Sequence, residues 1–431
     1  MTKSLPGAIV GGALVFNFIL CFINTNITSV SVVAVIGCEV ILLLMALGIG
    51  LRKMPLDLAV AGCLLVAYML VLFTFGQKIN PKVVRDLAIP FCFYALGHAT
   101  SPEFPLRKFI LLVVGGMLLV GLFEYFFTDT YLQYFDIRGY YASKGLVAQG
   151  ADPADNALSL NALRVEGREL LPFIGEIRIS SFFIEPVSMG NFAALVCLCG
   201  LAYMRRYLTT GVVLFIAGLI LIVLADARLG LALVLVFVTA SIFPVLRDTR
   251  LMFFLPLVMV TGLVCFALFT TYLPAENSTT WRLKISGGLL SRYGLGEWFG
   301  FVDTSKFTGD SGYAYIIPKI GFPGVMALWV ILLLNRPRTW EAQIFKTGAA
   351  YYVLLSLAIS ESMFTIKTGA FVWFVLGAFN RELLQPSFVD TEHASGRRDL
   401  QPRSEDWAEP VQDAGMARRQ PVAGPHAPRQ R

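Results

Sequence analysis

Long apolar runs, separated by short polar connections, recur along most of the chain. A run of about 20 apolar residues is long enough to cross a bilayer as an α-helix. The pattern therefore predicts an all-α, polytopic membrane protein with about twelve transmembrane helices. By apolar length we place the spans at roughly residues 8–24, 29–50, 57–76, 86–99, 109–127, 184–204, 208–226, 229–246, 251–272, 313–334, 347–364 and 368–384.

Three polar stretches are much longer than the short connections between the apolar runs. Two long loops, at about 128–183 and 273–312, interrupt the series of spans, and the first has the composition of a surface loop with one or two short helices. The third stretch, 387–431, is rich in Pro, Gly, Gln and Arg, a composition typical of disordered segments. We therefore expect a membrane domain over 1–386 and a disordered cytoplasmic tail over 387–431.

Lysine and arginine in the short connections predict the orientation, because such residues concentrate on the cytoplasmic side. The pattern predicts cytoplasmic termini and places both long loops together on the outer side. One connection, with Lys78, Lys82 and Arg85, is an exception that falls on the outer side. The other basic residues in short connections share one side: Lys3, Arg52, Lys53, Arg107, Lys108, Arg205, Arg206, Arg247, Arg250, Arg336, Arg338 and Lys346.

The composition agrees with a membrane protein and argues against a nucleic-acid partner, a metal site and a Ser–His or Cys–His nucleophile. Hydrophobic residues make up 56% of the chain and charged residues 15%, against about 25% charged residues in soluble domains. The net charge of +6 is spread over short loops and does not favour nucleic acid as a partner. The three histidines and seven cysteines show no metal-ligand spacing, and the long loops offer no Ser–His or Cys–His pair. We expect neither a metal nor another cofactor.

The densest group of charges beside an apolar run lies within residues 164–191. Polar groups at the mouth of a membrane helix are costly unless they bind something there. Glu185 begins the sixth span; it could be a general base or a substrate-hydroxyl ligand, or a carboxylate favoured by the helix dipole. Arg178 offers a planar fork for a phosphate, or it could pair with Glu185. Two further arginines of the group are Arg164 and Arg168.

Other candidate residues lie in the predicted outer connections. Asp226 and Arg228 occupy a very short connection between two apolar runs, where charges usually line a cavity or pair. Trp281 could face a saccharide or lie at the headgroup level. Together the charges form a basic outer face beside an apolar groove, which suits a lipid-linked phosphate. The remaining charges of this face are Arg282, Lys284, Arg292, Asp310, Glu361 and Lys367.

Three segments, in order, carry a resemblance to the O-antigen polymerase and ligase superfamily: RISSFFIEPVSMGNFAAL, LADARLGLALVL and DSGYAYIIPKIGFPGVMALW. The first resembles its arginine and Glu-Pro signature. The second is similar to its Ser-Arg-Gly helix start, with Ala227 in place of the serine, and the third to its His-Asn, Tyr, Gly block. The length and the Glu-Pro motif look most like Wzy-type exopolysaccharide polymerases. Because Asp310 stands where ligases of the superfamily have histidine, the resemblance favours a polymerase.

The resemblance implies a GT-C-like fold and a metal-independent glycosyltransferase at the periplasmic face of the bacterial inner membrane. A glycan on undecaprenyl diphosphate would be transferred to a lipid-linked oligosaccharide repeat unit, beside a flippase and a chain-length regulator or export complex. Arginines would neutralise the leaving diphosphate, since aimed donors of this kind stabilise developing charge. The predicted catalytic residues are Glu185, Arg178, Arg228 and Arg282. The predicted substrate-binding residues are Arg164, Arg168, Asp226, Trp281, Arg292 and Asp310.

Three alternatives remain open from the sequence. A lipid-linked oligosaccharide flippase or secondary transporter would also have about twelve spans, although transporters usually place charges and broken helices near the midplane. An O-antigen-type ligase would lack its histidine here. A scaffold of a secretion complex would leave the basic outer residues unexplained.

Overall fold

Most of the residues that the structure describes are helical. In this computed structural model the described residues are 4–75, 80–145, 170–171, 177–272, 278–303, 308, 310–335, 337 and 339–381, and they contain no β-strand. The predicted tail, 387–431, lies outside these ranges, as do Arg164 and Arg168.

A helix lies at each of the twelve positions that the apolar pattern predicts. Within the described ranges, eight helices are long and apolar enough to cross a membrane: α1 (Leu5–Asn26), α2 (Val32–Gly50), α3 (Leu56–Thr74), α5 (Leu106–Phe126), α8 (Pro186–Met204), α11 (Thr249–Phe269), α14 (Gly312–Leu334) and α15 (Trp340–Ile359). The other positions hold the shorter apolar helices α9 (Leu208–Leu224) and α10 (Arg228–Ile242), and the helices α4 (Pro81–Ala99) and α16 (Ile366–Arg381). The all-α, multi-pass class is thereby confirmed, and the count of twelve spans stays a prediction.

Short helices lie in both predicted long loops. The first loop contains α6 (Thr128–Tyr134) and α7 (Ile137–Ser143), so its predicted short helices are confirmed. The second contains α12 (Thr279–Leu290) and α13 (Leu295–Trp298), which the sequence pattern did not predict. Short connections join most other helices, so neighbours in the chain run in opposite directions. Both long loops therefore leave the same side of the bundle, which we call the loop face.

Burial separates central from peripheral helices. Both α8 and α15 are almost entirely buried, whereas α3 exposes most of its apolar surface. Large apolar side chains such as Leu64 and Leu112 point outward from the bundle. An outward apolar surface is unfavourable in water and is the surface that lipid tails cover.

Glycines bring α4 and α16 into backbone contact. A Cβ atom on Gly97 would lie 2.1 Å from the carbonyl oxygen of Phe374, and one on Gly377 would lie 2.2 Å from that of Tyr94. Small residues allow this close approach, which is the usual basis of helix packing in membranes. Nearer the starts of the two helices Gly369 faces Ile89, and Lys82 at the start of α4 lies 3.3 Å from Glu361 in the connection between α15 and α16.

Helix α14 is broken at Gly321, about two and a half turns from its start. Gly321 has a φ of +69°, in the left-handed region that glycine tolerates, and the hydroxyl of Tyr68 donates to the carbonyl oxygen of Ile320 at 2.7 Å. Gly300, in the second long loop, packs against the break: a Cβ atom there would lie 2.4 Å from the nitrogen of Gly321. The loop therefore docks into the wall of the bundle.

Candidate functional site

Glu185 lies at the start of α8, as predicted. Its backbone is extended and Pro186 is the first helical residue, a position where proline loses no hydrogen bond. The preceding backbone is strained, because Ser181 and Ile184 have φ values of +48° and +53°. A β-branched residue such as isoleucine rarely adopts a positive φ. Such strain persists only when surrounding contacts impose it, and it concentrates at functional sites.

A buried carboxylate on α5 imposes this strained turn. Glu124 is 2% exposed and accepts hydrogen bonds from the backbone nitrogen of Ser180 at 3.0 Å and from that of Ser181 at 2.6 Å. The hydroxyl of Ser180 donates to the same carboxylate at 2.8 Å. Charge-assisted hydrogen bonds of this kind are the stronger ones in proteins. Glu124 therefore fixes the backbone that leads into Glu185.

Three side chains converge on the carboxylate of Glu185. The ammonium of Lys367, at the start of α16, lies 3.5 Å from its Oε1 atom. The hydroxyl of Tyr141, on α7, donates to Oε1, and the hydroxyl of Ser188 donates to Oε2 at 2.7 Å. The Glu185 side chain remains 39% exposed, so it is fixed in position and still open on the loop face.

These contacts determine the protonation of Glu185. Burial raises the pKa of its carboxyl, but the ammonium of Lys367 and the hydrogen bonds from Tyr141 and Ser188 outweigh that effect. The pKa of Glu185 therefore lies below its ordinary value, and the side chain is an ionised acceptor at neutral pH. Burial raises the pKa of the Tyr141 hydroxyl above its ordinary range, so that this group stays a donor.

Lys144 follows the last residue of α7 and lies over the ring of Tyr141, whose hydroxyl donates to the same carboxylate. Its ammonium lies 4.0 Å from the ring centroid of Tyr140 and 4.5 Å from that of Tyr141. The hydroxyl of Tyr140 donates in turn to Asn17 on α1 at 2.8 Å. Burial, and then the neighbouring ammonium of Lys367, lower the pKa of Lys144 to about 8.

A second charged group surrounds the start of α4. The guanidinium of Arg85 lies 2.5 Å from a carboxylate oxygen of Glu39 on α2 and 2.7 Å from one of Asp86. The hydroxyl of Tyr315, on α14, donates to the other oxygen of Asp86 at 2.7 Å. A buried pair of this kind is tolerated when further hydrogen bonds satisfy its remaining oxygens, as Tyr315 does here.

Two ammonium groups lie over the ring of Tyr315. Those of Lys82 and Lys319 are 4.4 Å and 4.5 Å from its centroid. Lys82 also pairs with Glu361 at 3.3 Å, and Lys319 with Asp303 of the second long loop at 3.4 Å. Cations that lie over an aromatic ring are attracted to its face.

The two charged groups meet at the connection between α15 and α16. That connection supplies Glu361 to one group, and Lys367 at the start of α16 belongs to the other. The amide of Asn191 on α8 donates to Ser362 in the same connection at 2.9 Å. We call the joined set the loop-face cluster. Its members are Glu39, Lys82, Arg85, Asp86, Tyr141, Lys144, Glu185, Asp303, Tyr315, Lys319, Glu361 and Lys367.

The structure brings Arg178 to the short connection that precedes Arg228. The guanidinium of Arg178 donates to the carbonyl oxygens of Ala225 at 3.0 Å and Asp226 at 3.5 Å. Asp226, with a φ of +48°, accepts from the backbone nitrogen of Leu170 at 2.7 Å. The side chain of Arg228 is exposed. The suggested pairing of Arg178 with Glu185 is replaced by the Lys367 pair.

The predicted residues of the second long loop form a separate pair. The guanidinium of Arg282, on α12, lies 3.6 Å from a carboxylate oxygen of Asp310, which is 73% exposed. Trp281 is half-buried at the start of α12, and Arg292 is exposed. No group of three His, Cys, Asp or Glu side chains that could hold a metal ion occurs among the described residues.

Much of the loop-face cluster was missed by the sequence reasoning. The sequence feature that could have revealed these residues is a charged residue inside an apolar run, which marks a functional position in a membrane helix. Glu39 and Lys319 are of this kind. The sequence analysis noted Lys82 and Arg85 only as basic residues on the side opposite to the others. In the structure Lys82 pairs with Glu361 and Arg85 pairs with Glu39.

An apolar cavity of about 220 Å³ begins beside the cluster. Leu87, Tyr313 and Phe364 line it at the loop-face end, and the rings of Phe364 and Tyr315 are 5.7 Å apart. From there the cavity continues between α3, α4, α11, α14, α15 and α16 as far as Asp57 and Asn335, at the opposite ends of their helices. A charged cluster thus adjoins a long hydrocarbon-lined cavity.

Comparison with known proteins identified no relative of this chain. The chain matches no protein-family model, no curated protein and no solved structure.

Proposed function

We propose that the chain is a polysaccharide polymerase of the Wzy type. In this proposal it transfers a growing glycan from undecaprenyl diphosphate onto a lipid-linked repeat unit, at the periplasmic face of the inner membrane. By length and Glu-Pro motif the sequence looks most like the xanthan polymerase. The observation that carries the proposal is the loop-face cluster at the end of an apolar cavity, since an anionic headgroup on a hydrocarbon tail needs both.

The cluster offers groups for each part of such a reaction. In this proposal Lys82, Arg85 and Lys367 neutralise the leaving diphosphate, and the ionised Glu185 accepts a hydrogen bond from a sugar hydroxyl. Arg228 and Arg282 remain proposed phosphate ligands, while Arg178 holds the turn before Arg228. Charge stabilisation at fixed positions is usually the largest contribution to such catalysis.

Elongation by the purified protein tests this proposal. In liposomes that contain a lipid-linked repeat unit, we expect polymer ladders without any nucleotide, because the diphosphate bond supplies the energy. Replacing Lys367→Met removes one aimed cation and should lower the elongation rate by about 100- to 1000-fold. The matched replacement Lys108→Met, at an exposed position on α5, should leave the rate unchanged.

A flippase is the second candidate, favoured by one observation. Glu39 and Lys319 lie inside helices and α14 is broken at Gly321, features typical of transporters. The same liposomes separate the two functions. Movement of the lipid-linked oligosaccharide between leaflets, with no change in chain length, would contradict the polymerase and support the flippase.

A further inference from the structure

Lys144 is held differently from the other cations of the loop-face cluster. Arg85, Lys82, Lys319 and Lys367 each lie 2.5–3.5 Å from a carboxylate oxygen. Within the described ranges, the ammonium of Lys144 lies instead over the rings of Tyr140 and Tyr141.

The platform beneath Lys144 is fixed at several points. Tyr140 donates to Asn17, Tyr141 donates to Glu185, and the hydroxyl of Ser143 donates to the carbonyl oxygen of Val30 at 3.0 Å. Lys144 therefore has a defined position next to the carboxylate that we assign to the acceptor sugar.

On the basis of the proposed function, we infer that Lys144 is the proton acceptor for the attacking hydroxyl and that Glu185 orients this hydroxyl. The hydroxyl oxygen forms a bond to the sugar C1, and the bond from C1 to the diphosphate oxygen breaks with its electron pair on the diphosphate. The hydroxyl proton passes to the neutral amine of Lys144, and the resulting ammonium then releases it to solvent or to the departing diphosphate.

Lys144 and Glu185 differ in how well each could accept the proton of the attacking hydroxyl. Glu185 already accepts hydrogen bonds from Tyr141 and Ser188 and pairs with Lys367, so its carboxylate is a weak base. Burial and the nearby Lys367 lower the pKa of Lys144 to about 8. A base is most effective when its pKa lies near the working pH, and aromatic ring faces stabilise the ammonium that forms.

Several ionisable groups face Lys144 from the surrounding helices and set the balance of its two forms. Lys367 disfavours the ammonium, whereas Glu185, Cys21 and Glu39 in their negative forms favour it. The groups are Cys21 on α1, Glu39 on α2, Tyr140 and Tyr141 on α7, Glu185 at the start of α8 and Lys367 on α16.

The pH dependence of elongation by the full-length protein in liposomes tests this role. The wild-type rate should rise as pH increases towards 8 and level off above it, since the neutral amine is the active form. Lys144→Ala should lower the rate by about 100-fold or more and abolish this rise. Lys144→Arg should lose activity to a similar extent, because the guanidinium keeps its proton. Added small primary amines should partly restore Lys144→Ala, while Lys108→Ala should behave like the wild type.

Retained activity in Lys144→Arg, or an unchanged pH profile in Lys144→Ala, would show that Lys144 acts only through charge or packing and would overturn the inference. Thermal unfolding of both variants separates loss of chemistry from loss of folding, and Lys144→Arg carries the test if the alanine variant does not fold. Absence of elongation by the wild-type protein would overturn the inference together with the proposed function.

Discussion

Glu124 is the residue on which the geometry around Glu185 depends most directly. Its carboxylate accepts from Ser180 and Ser181, whose backbone nitrogens lie in the strained turn before α8. We predict that Glu124→Ala destabilises the protein by about 1–3 kcal/mol for each buried donor left without a partner. Unfolding in detergent would measure this loss. Glu124→Gln, which keeps an acceptor oxygen, should lose less, and equal losses in both variants would contradict the argument.

At this scale the sequence predicted the location of Glu185 but not its partners. A Glu-Pro pair at the start of an apolar run is visible in the sequence, and the structure confirms its place at the start of α8. Lys367 and Tyr141 reach Glu185 from helices far away in the chain. Such contacts depend on how the helices pack, which a single sequence does not specify.

The break in α14 is the most specific feature among the helices. Gly321 has a φ of +69°, and a Cβ atom there would lie 2.6 Å from the carbonyl oxygen of Phe299 in the second long loop. We predict that Gly321→Ala destabilises the protein by about 1–3 kcal/mol, the usual cost of a strained backbone position. Thermal unfolding would measure this.

Gly262→Ala is the control for that change. A Cβ atom on Gly262, within α11, would meet no atom within 4 Å, and alanine is the better helix former. This variant should be as stable as the wild type or slightly more stable. A Gly321→Ala variant that matched it would show that the break is not required.

Helices were the most predictable elements and their irregularities the least. Apolar length alone placed all the long helices, since each must cover about the same thickness of hydrocarbon. α12 was missed because Gly287 and Gly288 interrupt its apolar pattern. In the structure α12 begins with a Ser278 cap, and Gly287 lets it pack against the backbone of α11 at Leu263.

The orientation of the whole molecule is a prediction that single cysteines can test. Exposed positions on the two long loops, Asp129 and Leu295, should react with an impermeant thiol reagent added from the periplasm, in a variant whose native cysteines are replaced. Reaction only from the cytoplasm would reverse the predicted orientation. Gly300 is unsuitable as a labelling site, because its φ of +77° and its contact with Gly321 leave no room for a side chain.

For the whole molecule, the sequence predicted the all-α, multi-pass class, but not which helices pack together. The contact of α4 with α16 joins segments almost 300 residues apart through Gly97 and Gly377, and no periodic pattern marks it. Gly97 and Gly377 lie near the ends of the two helices, and at the opposite end of the same helix pair Lys82 lies beside Glu361 in the loop-face cluster. The site was therefore only partly predictable.

The pairing of charges in the loop-face cluster has a consequence for selectivity. Each of these cations already faces a carboxylate: Arg85, Lys82, Lys319 and Lys367. An anion that binds there must displace that carboxylate, so its net gain is its own interaction with the cation minus the interaction that is lost. Dissolved phosphate should therefore compete poorly for these cations. A phosphate tethered to a hydrocarbon chain differs, because the tail already lies in the bilayer; moving it into the cavity gains little hydrophobic free energy, but the tail keeps the phosphate at a high effective concentration beside the cluster. Discrimination would then come from the tail of the ligand, and its charge would only set the position at which it stops.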